Sequence, residues 1–394
     1  MTELLTLQDT GETFYVPTFE IMINERPADR LIVRDLTEVS YEDSIDAIDS
    51  FTLAFNNWDT DQLRPHFVGQ DASTEAWEQV QPGNRVELRM GYQGELRLMT
   101  TGFFTTLDVD FPETGFSKAT VRGLNVLDRF RDKQYSWSWP DTGTTPMTDS
   151  EIAESLGVAP DSPAGHPGLN GIARVVISPE AAGLEVAQDH VFMINEYPIR
   201  FLIRLARRNG YEVVLRYDVD GEPELVFGPS DQIPDPTYVL EWGKTLSSLK
   251  ATISTVRQVK KVTVFGWNRT TKQTVRGEAS VEADGGSLTP TIRSLALASG
   301  REEVVVDHVV STDQQARQKA LQILGHLASQ LIEVEGAVIG LPGLRAGRTV
   351  RLERLGEQLT GSYFVTWTRH VINDSGYRTA FKARLEGPQQ RVTA

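Results

Sequence analysis

The sequence predicts a mainly β protein of the α+β kind, in which two β-barrel modules flank a small α+β insertion. Glycine-bounded runs that alternate apolar and polar residues fill both ends of the chain, and such runs are typical of strands with one buried face. The runs near the C-terminus repeat the order of those near the N-terminus. Between about residues 134 and 183 the alternation fails. A chain of 394 residues has room for two or three domains with separate cores.

Residues 1–133 are predicted to form the first barrel. Enough alternating runs occur here to close a small barrel. The predicted strands are 19–23, 30–36, 49–55, 85–90, 96–105 and 119–122. The polar stretch from Asn57 to Gln81 is predicted to be a long connection, and connections of that length often form interfaces.

Residues 134–245 are predicted to form a middle α+β region with a linker. Thr148 and Glu151 have the spacing of a capping box before a short helix at 152–156. A turn-rich linker at 161–168 follows. A helix at 201–208 then precedes a hairpin with strands at 213–217 and 224–227 that turns at Asp220 and Gly221.

Residues 246–386 are predicted to form the second barrel, and residues 387–394 a tail. Ser311, Thr312 and Asp313 are cap formers, and apolar residues at helical spacing follow them. This predicts a helix at 313–333 whose apolar face covers the barrel. The predicted strands are 337–343, 347–352, 361–367 and 376–385.

The repeat has three matching parts in the same order. The G-x-x-V-x-L pattern that starts at Gly83 recurs at Gly347, and the Thr-Gly pair at Gly102 recurs at Gly361. The run 115–121 takes the place of the run that starts at Gly376. Glycine-flanked strand pairs are common in β-proteins, so a chance echo is the alternative to a duplicated module.

Several segments resemble the phage late control D family, which supplies the central hub of contractile-tail baseplates. The similar C-terminal segments are 315–320, 340–347, 361–365 with His370, and 376–379. Residues 259–268, followed by 277–279, resemble the strand that enters the family's second barrel. Residues 195–211 are similar to a segment in the hub part of valine-glycine repeat spike proteins.

The resemblance implies a structural role for the repeated modules. Each module would be tube-protein-like, and a homotrimer would present six of them, which would adapt a six-fold inner tube to a three-fold spike. Glycines would shape the turns and interfaces, and aromatic residues would pack the barrel. These structural and interface candidates are Gly83, Gly102, Gly347, Gly361, Tyr363, Trp367, Gly376, Tyr377 and Phe381.

The resemblance also implies the partners and the location. An inner tube ring would bind above, a separate spike protein below, and other baseplate (wedge) proteins around the hub, while DNA or protein cargo would only pass through. Nine residues follow Leu385, so we expect the spike to be a separate polypeptide. The site of action would be a virion tail baseplate or an injection particle, made and assembled in the bacterial cytoplasm. The net charge of −15 suggests a negative lumen that cargo does not adhere to.

Composition and motifs argue against most site chemistry. The chain has no cysteine and no apolar run long enough for a membrane span, and its negative charge disfavours dedicated DNA binding. Its six histidines lack metal-ligand spacing, and the Gly243-Lys244-Thr245 sequence lacks the leading glycine of a phosphate loop. We therefore predict no enzyme activity, cofactor or metal.

Two alternatives remain open at this stage. Carboxylate pairs such as Asp108 and Asp110 on one strand face would suit a tail-associated peptidoglycan hydrolase. A carbohydrate-binding or adhesin β-protein is the other alternative. For a local group of arginines, Arg200, Arg204, Arg207 and Arg208, a solvated helix face or an inter-subunit salt-bridge surface is favoured over a nucleic-acid site.

Overall fold

A computed structural model describes residues 4–5, 16–68, 76–141, 143, 145–157, 166–169, 171–178, 185, 187–218, 220–230, 237–256, 258–284, 290–306, 310–356 and 358–386. Strands make up 49% and helices 20% of the structure, which confirms the predicted mainly β class. None of the described helices has both the length and the apolar character needed to cross a membrane.

The first half of the chain contains strands β1 (Leu4–Leu5), β2 (Pro17–Ile23), β3 (Arg26–Pro27), β4 (Leu36–Ser44), β5 (Ser50–Asn56), β6 (Trp58–Asp59), β7 (Arg64–Pro65), β8 (Arg85–Tyr92), β9 (Glu95–Asp110), β10 (Lys118–Asn125), β11 (Tyr135–Trp139), β12 (Arg174–Ile177) and β13 (Val191–Glu196). The second half contains β14 (Glu212–Tyr217), β15 (Pro223–Gly228), β16 (Thr237–Glu241), β17 (Leu246–Ile253), β18 (Lys261–Asn268), β19 (Gln273–Ser280), β20 (Glu302–Val306), β21 (Ile332–Ile339), β22 (Thr349–Glu353), β23 (Gly361–Asn373) and β24 (Gly376–Leu385). The α-helices are Arg30–Asp35, Ala76–Gln79, Asp149–Leu156, Pro198–Asn209, Val281–Asp284, Pro290–Ser299 and Asp313–Ser329, and Val126–Arg131 is a 3-10 helix.

The two ends of the chain form two six-stranded modules with the same strand order. The first module has the order β4-β5-β10-β9-β8-β2, and the second has the order β17-β21-β24-β23-β22-β16. The modules are joined edge to edge, because β23 also pairs with β4. They therefore share one 14-stranded sheet. The main difference is that β2 runs antiparallel to β8 while β16 runs parallel to β22.

Irregularities in the pairing occur at equivalent places in both modules. The register of β4 on β5 shifts between Leu36 and Glu38, and that of β17 on β21 shifts between Leu246 and Ser248. A bulge is a costly local departure from regular pairing, so its repetition at one position marks a common architecture. The repeat seen in the sequence therefore extends to the register of the strands.

The bulges of β9 and β23 also match. In β9 the bulged residue is Thr105, whose hydroxyl donates to the carbonyl of Arg122 at 3.2 Å. In β23 it is Thr366, whose hydroxyl donates to the carbonyl of Lys382 at 3.3 Å. In both modules, the hydroxyl of the bulged threonine thus donates a hydrogen bond to a carbonyl of the neighbouring strand.

The third match is a backbone hydrogen bond that closes the loop before β8 in the first module and the loop before β22 in the second. The amide of Gly83 donates to the carbonyl of Phe104 at 2.7 Å, and the amide of Gly347 donates to that of Val365 at 2.8 Å. Both glycines have positive φ, +96° and +81°, which glycine adopts without a steric penalty. The predicted equivalence of these two glycines agrees with the structure.

The strand register does not agree with the predicted equivalence of Gly102 and Gly361. Gly102 lies opposite Val86, and the residue opposite the matching Val350 is Tyr363. Gly361 instead begins β23 opposite Leu352. The Thr-Gly echo in the sequence therefore joins positions that are not equivalent in space.

The capping box, the helix and the hairpin predicted in the middle region are present, but β16, within the same predicted bounds, pairs with β22 of the second module. A capping box joins Thr148 and Glu151 at the start of helix Asp149–Leu156. Helix Pro198–Asn209 buries its apolar face, and β14 and β15 form the expected hairpin. β15 also pairs in parallel with β12, and a second small sheet joins β11 to β13.

One predicted strand is wrong, because residues 30–35 form a short helix. The side chain of Asp29 caps it by accepting from the amide of Leu31 at 2.8 Å. Only Ile32 of this segment is buried, so one apolar contact per turn replaces the alternation expected of a strand. The strand of this region is β4, which follows directly.

The helix predicted at 313–333 ends at Ser329, and β21 begins at Ile332. Its N-terminal cap forms as predicted, with a capping box between Thr312 and Gln315. The helix mainly covers a separate three-stranded sheet, β19-β18-β20, and Ala328 in its last turn joins the core of the second module. Residues 259–268 therefore belong to an insertion and do not enter the second module.

Gly277 of β19 lies where this helix comes closest to the sheet. A Cβ atom at this position would meet the backbone nitrogen of Arg317 at 2.0 Å. By contrast, a Cβ atom at Gly325, within the same helix, would meet nothing within 4 Å. The two glycines form a matched pair for testing this packing.

We predict that Gly277→Ala lowers the free energy of unfolding by about 2 kcal/mol or more, because the helix must move away from the sheet. Gly325→Ala should raise it by about 1 kcal/mol, because alanine favours helix in an exposed interior position. Urea denaturation followed by circular dichroism measures both changes. Equal stability of the two variants would contradict the close approach.

Candidate functional site: the junction between the two modules

The modules meet where β4 pairs antiparallel with the second half of β23. The pairing runs from Ser44 opposite Trp367 to Glu38 opposite Asn373. The first half of β23 pairs with β22, which ends its contact at Thr349 opposite Phe364. β23 is thus longer than β22, and β4 occupies the edge that β22 leaves free.

Arg345 crosses the junction from the loop between β21 and β22. Its Nε donates to Oδ2 of Asp43 at 2.6 Å, and its Nη2 donates to the carbonyl of Met99 at 2.8 Å and to the hydroxyl of Tyr41. The guanidinium also lies over the Tyr41 ring, 4.4 Å from its centroid. One side chain of the second module therefore binds three residues of the first module.

Asp43 is the buried anion that balances this cation. Its side chain is only 6% exposed, and that of Arg345 is 13% exposed. The second carboxylate oxygen, Oδ1, accepts from the amide of Ala346 at 3.2 Å and from the hydroxyl of Thr368. Because both oxygens have donors from the second module, the pair meets the condition under which a buried ion pair is tolerated.

A second buried carboxylate, Asp49, lies behind the first. Its Oδ2 accepts a hydrogen bond from the hydroxyl of Tyr41 at 3.0 Å and another from the side-chain amide Nδ2 of Asn125 at 2.9 Å. Burial, together with the negative charge of Asp43, raises the pKa of Asp49 to about 7. This carboxyl is therefore the group of the junction that titrates near neutral pH.

His370 completes the junction on the side of the second module. Its Nε2 lies 2.9 Å from the carbonyl of Leu344, and its Nδ1 lies 3.0 Å from the hydroxyl of Tyr377 and 3.1 Å from that of Thr379. Burial lowers the pKa of His370 to about 3, so the ring is neutral at physiological pH. Enclosed by these partners, the imidazole acts as a structural bridge.

The aromatic candidates from the sequence divide between three places. Tyr363 and Phe381 lie in the core of the second module. Tyr377 instead lies in the core of the first module, with its ring centroid 5.6 Å from that of Tyr92. Trp367 is half-buried at the junction, where its Nε1 donates to Glu42 at 2.6 Å.

The glycine candidates also differ in role. Gly83, Gly347 and Gly376 have positive φ and form turns. Gly102 lies within β9, where an added Cβ atom would meet the carbonyl oxygen of Leu124 at 2.1 Å, so its role is close strand packing. Gly361 begins β23 without a positive φ and does not form a turn of the left-handed kind.

The sequence did not identify the ion pair of the junction, although the family resemblance includes His370 and the segment 340–347 that contains Arg345. Arg345 is one of many exposed-looking arginines, and Asp43 lies in an acidic run with Glu42. Tyr41 and Asp43 are two residues apart in a strand, so their side chains lie on the same face, and this spacing could have marked both as buried. That signal marks burial, but it does not identify the partner.

Three arginines of helix Pro198–Asn209 form ion pairs within the chain, whereas the sequence interpretation expected a solvated face or salt bridges between subunits. Arg204 pairs with Glu196, Arg207 with Asp46, and Arg208 with Asp149. Elsewhere, no three potential ligand side chains of the described part of the chain gather into a metal-binding cluster.

Comparison with known structures identifies several proteins of similar fold. The 43 kDa tail protein of prophage MuSo2 from Shewanella oneidensis is 14% identical, with a TM-score of 0.65 over 93% of this chain and 98% of that one. A tail protein from Neisseria meningitidis MC58 is 16% identical, with a TM-score of 0.62 over 94% and 97%. The E. coli c3393 protein, a component of the type VI secretion system, is 11% identical, with a TM-score of 0.52 over 89% and 73%. At these identities the comparison shows that the fold is shared.

Sequence comparison adds one partial match. Residues 198–374 match the model of the Alg8 N-terminal domain. This stretch covers less than half of the chain, and it ends in the turn between β23 and β24. It therefore divides a hairpin of the second module and does not correspond to a domain of the structure. No curated protein matches the sequence.

We predict that Arg345→Lys lowers the free energy of unfolding by about 2 kcal/mol, because an ammonium cannot reproduce the fork that binds Asp43, Tyr41 and Met99 together. Arg369→Lys is the control, since this exposed side chain on β23 has only a 3.8 Å contact with Glu38. Its effect should stay within about 0.5 kcal/mol. Urea titration of both variants tests the difference, and equal losses would contradict the role of the junction.

The raised pKa of Asp49 predicts a pH dependence of stability. An unfolded aspartate titrates near pH 4 and the folded one at about 7, so its contribution is complete below pH 4 and is lost as the pH rises through 7. Between pH 5 and pH 8 the parent protein should lose about 2 kcal/mol relative to Asp49→Asn, which cannot ionise.

Denaturation at several pH values measures this loss. The control is Asp46→Asn, which removes a carboxylate that is 70% exposed instead of a buried one. A constant difference between the parent and Asp49→Asn would refute the buried titration.

Proposed function

We propose that the protein is a non-enzymatic structural hub in the baseplate of a contractile phage tail or of a phage-derived injection system. The internal repeat carries the proposal. Two modules with the same strand order and the same bulges lie edge to edge in one chain. Three chains would bring six modules together, and a ring of three chains with six modules adapts a six-fold partner to a three-fold one.

The shared fold supports this proposal. The similar structures are a prophage tail protein, a second tail protein and a secretion-system component with structural similarity to T4 bacteriophage tail proteins. In the proposed assembly, one face of the trimer binds the inner tube ring and the opposite face binds a separate spike protein. Other baseplate (wedge) proteins contact the outside, and DNA or protein cargo passes through the lumen.

The rigid junction suits such an adaptor. A ring that transmits the symmetry of its neighbours needs a fixed angle between its modules. The buried pair of Arg345 and Asp43 fixes one module on the other, because leaving either charge unpaired in the interior is costly. The particle would be the virion tail or an assembled injection device, formed in the bacterial cytoplasm.

We predict a trimer, alone or with the spike partner. The chain has a mass of 43.9 kDa, so three copies give 3 × 43.9 = 131.7 kDa. Light scattering on the purified protein, with and without a candidate spike protein, measures the mass. A persistent monomer or dimer under every condition would overturn the hub proposal. Activity on purified peptidoglycan or binding to glycans would instead favour a hydrolase or an adhesin.

A further inference from the structure

Two backbone edges of the large sheet have no partner in the described part of the chain. β17 pairs with β21 on one side only. β9 pairs with β8 as far as Phe103, so the stretch Thr106–Asp110 has only β10 beside it. Unpaired edges of this length are a liability unless another strand covers them.

Because the two modules repeat, each unpaired edge has an equivalent strand in the other module. β17 takes the position of β4, since both form the outer strand of their module and both have the same bulge near their start. Thr106–Asp110 takes the position of the second half of β23, since both follow the matched bulge at Thr105 and Thr366. Within one chain, β4 and the second half of β23 pair with each other.

We propose that β17 of one copy pairs antiparallel with Thr106–Asp110 of β9 in the next copy, repeating between chains the junction seen within the chain. The proposal rests on the ring assembly inferred above and names the strands that close it. Each copy would offer one edge of each kind, so the contact is head to tail, and the three-fold rotation of the proposed trimer closes it into a ring that leaves neither edge unpaired.

The register follows from the junction within the chain. There, Trp367 lies opposite Ser44, and the equivalents of these two residues are Thr106 and Ser254. Counting along both strands places Leu107 opposite Ile253, Asp108 opposite Thr252, Val109 opposite Ala251, Asp110 opposite Lys250 and Phe111 opposite Leu249.

The chemistry of the two edges agrees with this register. Every second pair is apolar, and these pairs lie on one face of the sheet: Leu107 with Ile253, Val109 with Ala251, and Phe111 with Leu249. In the single chain Phe111 is 58% exposed and Ile253 is 42% exposed, so pairing would bury apolar surface that now faces solvent.

On the opposite face, the register brings Asp110 against Lys250. Within one chain Asp110 lies opposite Lys118 and Lys250 lies opposite Glu335, but among the described residues neither Asp110 nor Lys250 is close enough to its neighbour to form an ion pair. Like charges directly opposite each other destabilise a sheet, and opposite charges stabilise it. A register shifted by one residue would instead place Lys250 beside the apolar Val109 or Phe111 and would turn the apolar row outward.

Engineered disulfides test the pairing directly, because the chain has no cysteine of its own. One variant combines Asp108→Cys with Thr252→Cys, and a second combines Val109→Cys with Ala251→Cys. Neighbouring pairs alternate between wide and close spacing, so one variant brings its Cβ atoms within bonding distance. The control within the chain is Glu42→Cys with Arg369→Cys, which occupies the position equivalent to the first variant.

Oxidised protein run on a non-reducing denaturing gel should show covalent dimers and trimers for at least one of the two variants. The control should show only monomers. A variant with shifted register, Asp108→Cys with Ser248→Cys, should stay uncrosslinked. A protein that is trimeric by light scattering but gives no crosslink from either pair would overturn the proposed pairing and leave the hub proposal standing. A protein that remains monomeric with and without the spike would overturn both.

Charge reversal provides a second measurement in variants that fold. Lys250→Glu should weaken trimer formation about 2- to 10-fold, since it places two acids together at each interface. Adding Asp110→Lys should restore it. Lys272→Glu, an exposed change in the turn between β18 and β19, should have no effect. Failure of the double variant to recover would contradict the pairing of Lys250 with Asp110.

Discussion

The structure depends most on the buried ion pair between Arg345 and Asp43. Each module has an apolar core, the first of which also contains Ile372 and Tyr377 of the second module, but burial of apolar surface does not by itself fix the angle at which two such cores meet. The guanidinium can donate its hydrogen bonds to only one arrangement of acceptors. The carboxylate accepts hydrogen bonds from an amide and a hydroxyl of the other module. A displaced junction would leave charge unpaired in the interior, so the interaction selects one geometry.

Much of the fold could be predicted from the sequence, because strands with one buried face alternate visibly and glycines mark their ends. The matching patterns at Gly83 and Gly347 correctly identified a repeat. The junction could not be predicted, because its specificity arises from residues far apart in the chain. Nothing near Arg345 in the sequence points to Asp43. Residues 30–36 were misassigned because a helix of 6 residues, less than two turns, is too short to display its own period.

The difference between the modules also explains the misplaced helix. In the first module only five residues separate β4 from β5, whereas the equivalent connection from β17 to β21 contains the sheet β19-β18-β20 and the helix Asp313–Ser329. The helix therefore belongs to an insertion with its own core, and its apolar face is used there. Periodicity revealed that this face needed a partner, but it could not distinguish between two nearby sheets.

Continuity of the sheet through β4 and β23 has a mechanical consequence. Seven residue pairs join these strands. A pull along the strands would stretch all their hydrogen bonds at once, whereas a pull across them would open the ladder one bond at a time. The link between the modules is therefore stiffest in shear, so a load directed along β23 should pass from one module to the other with little extension.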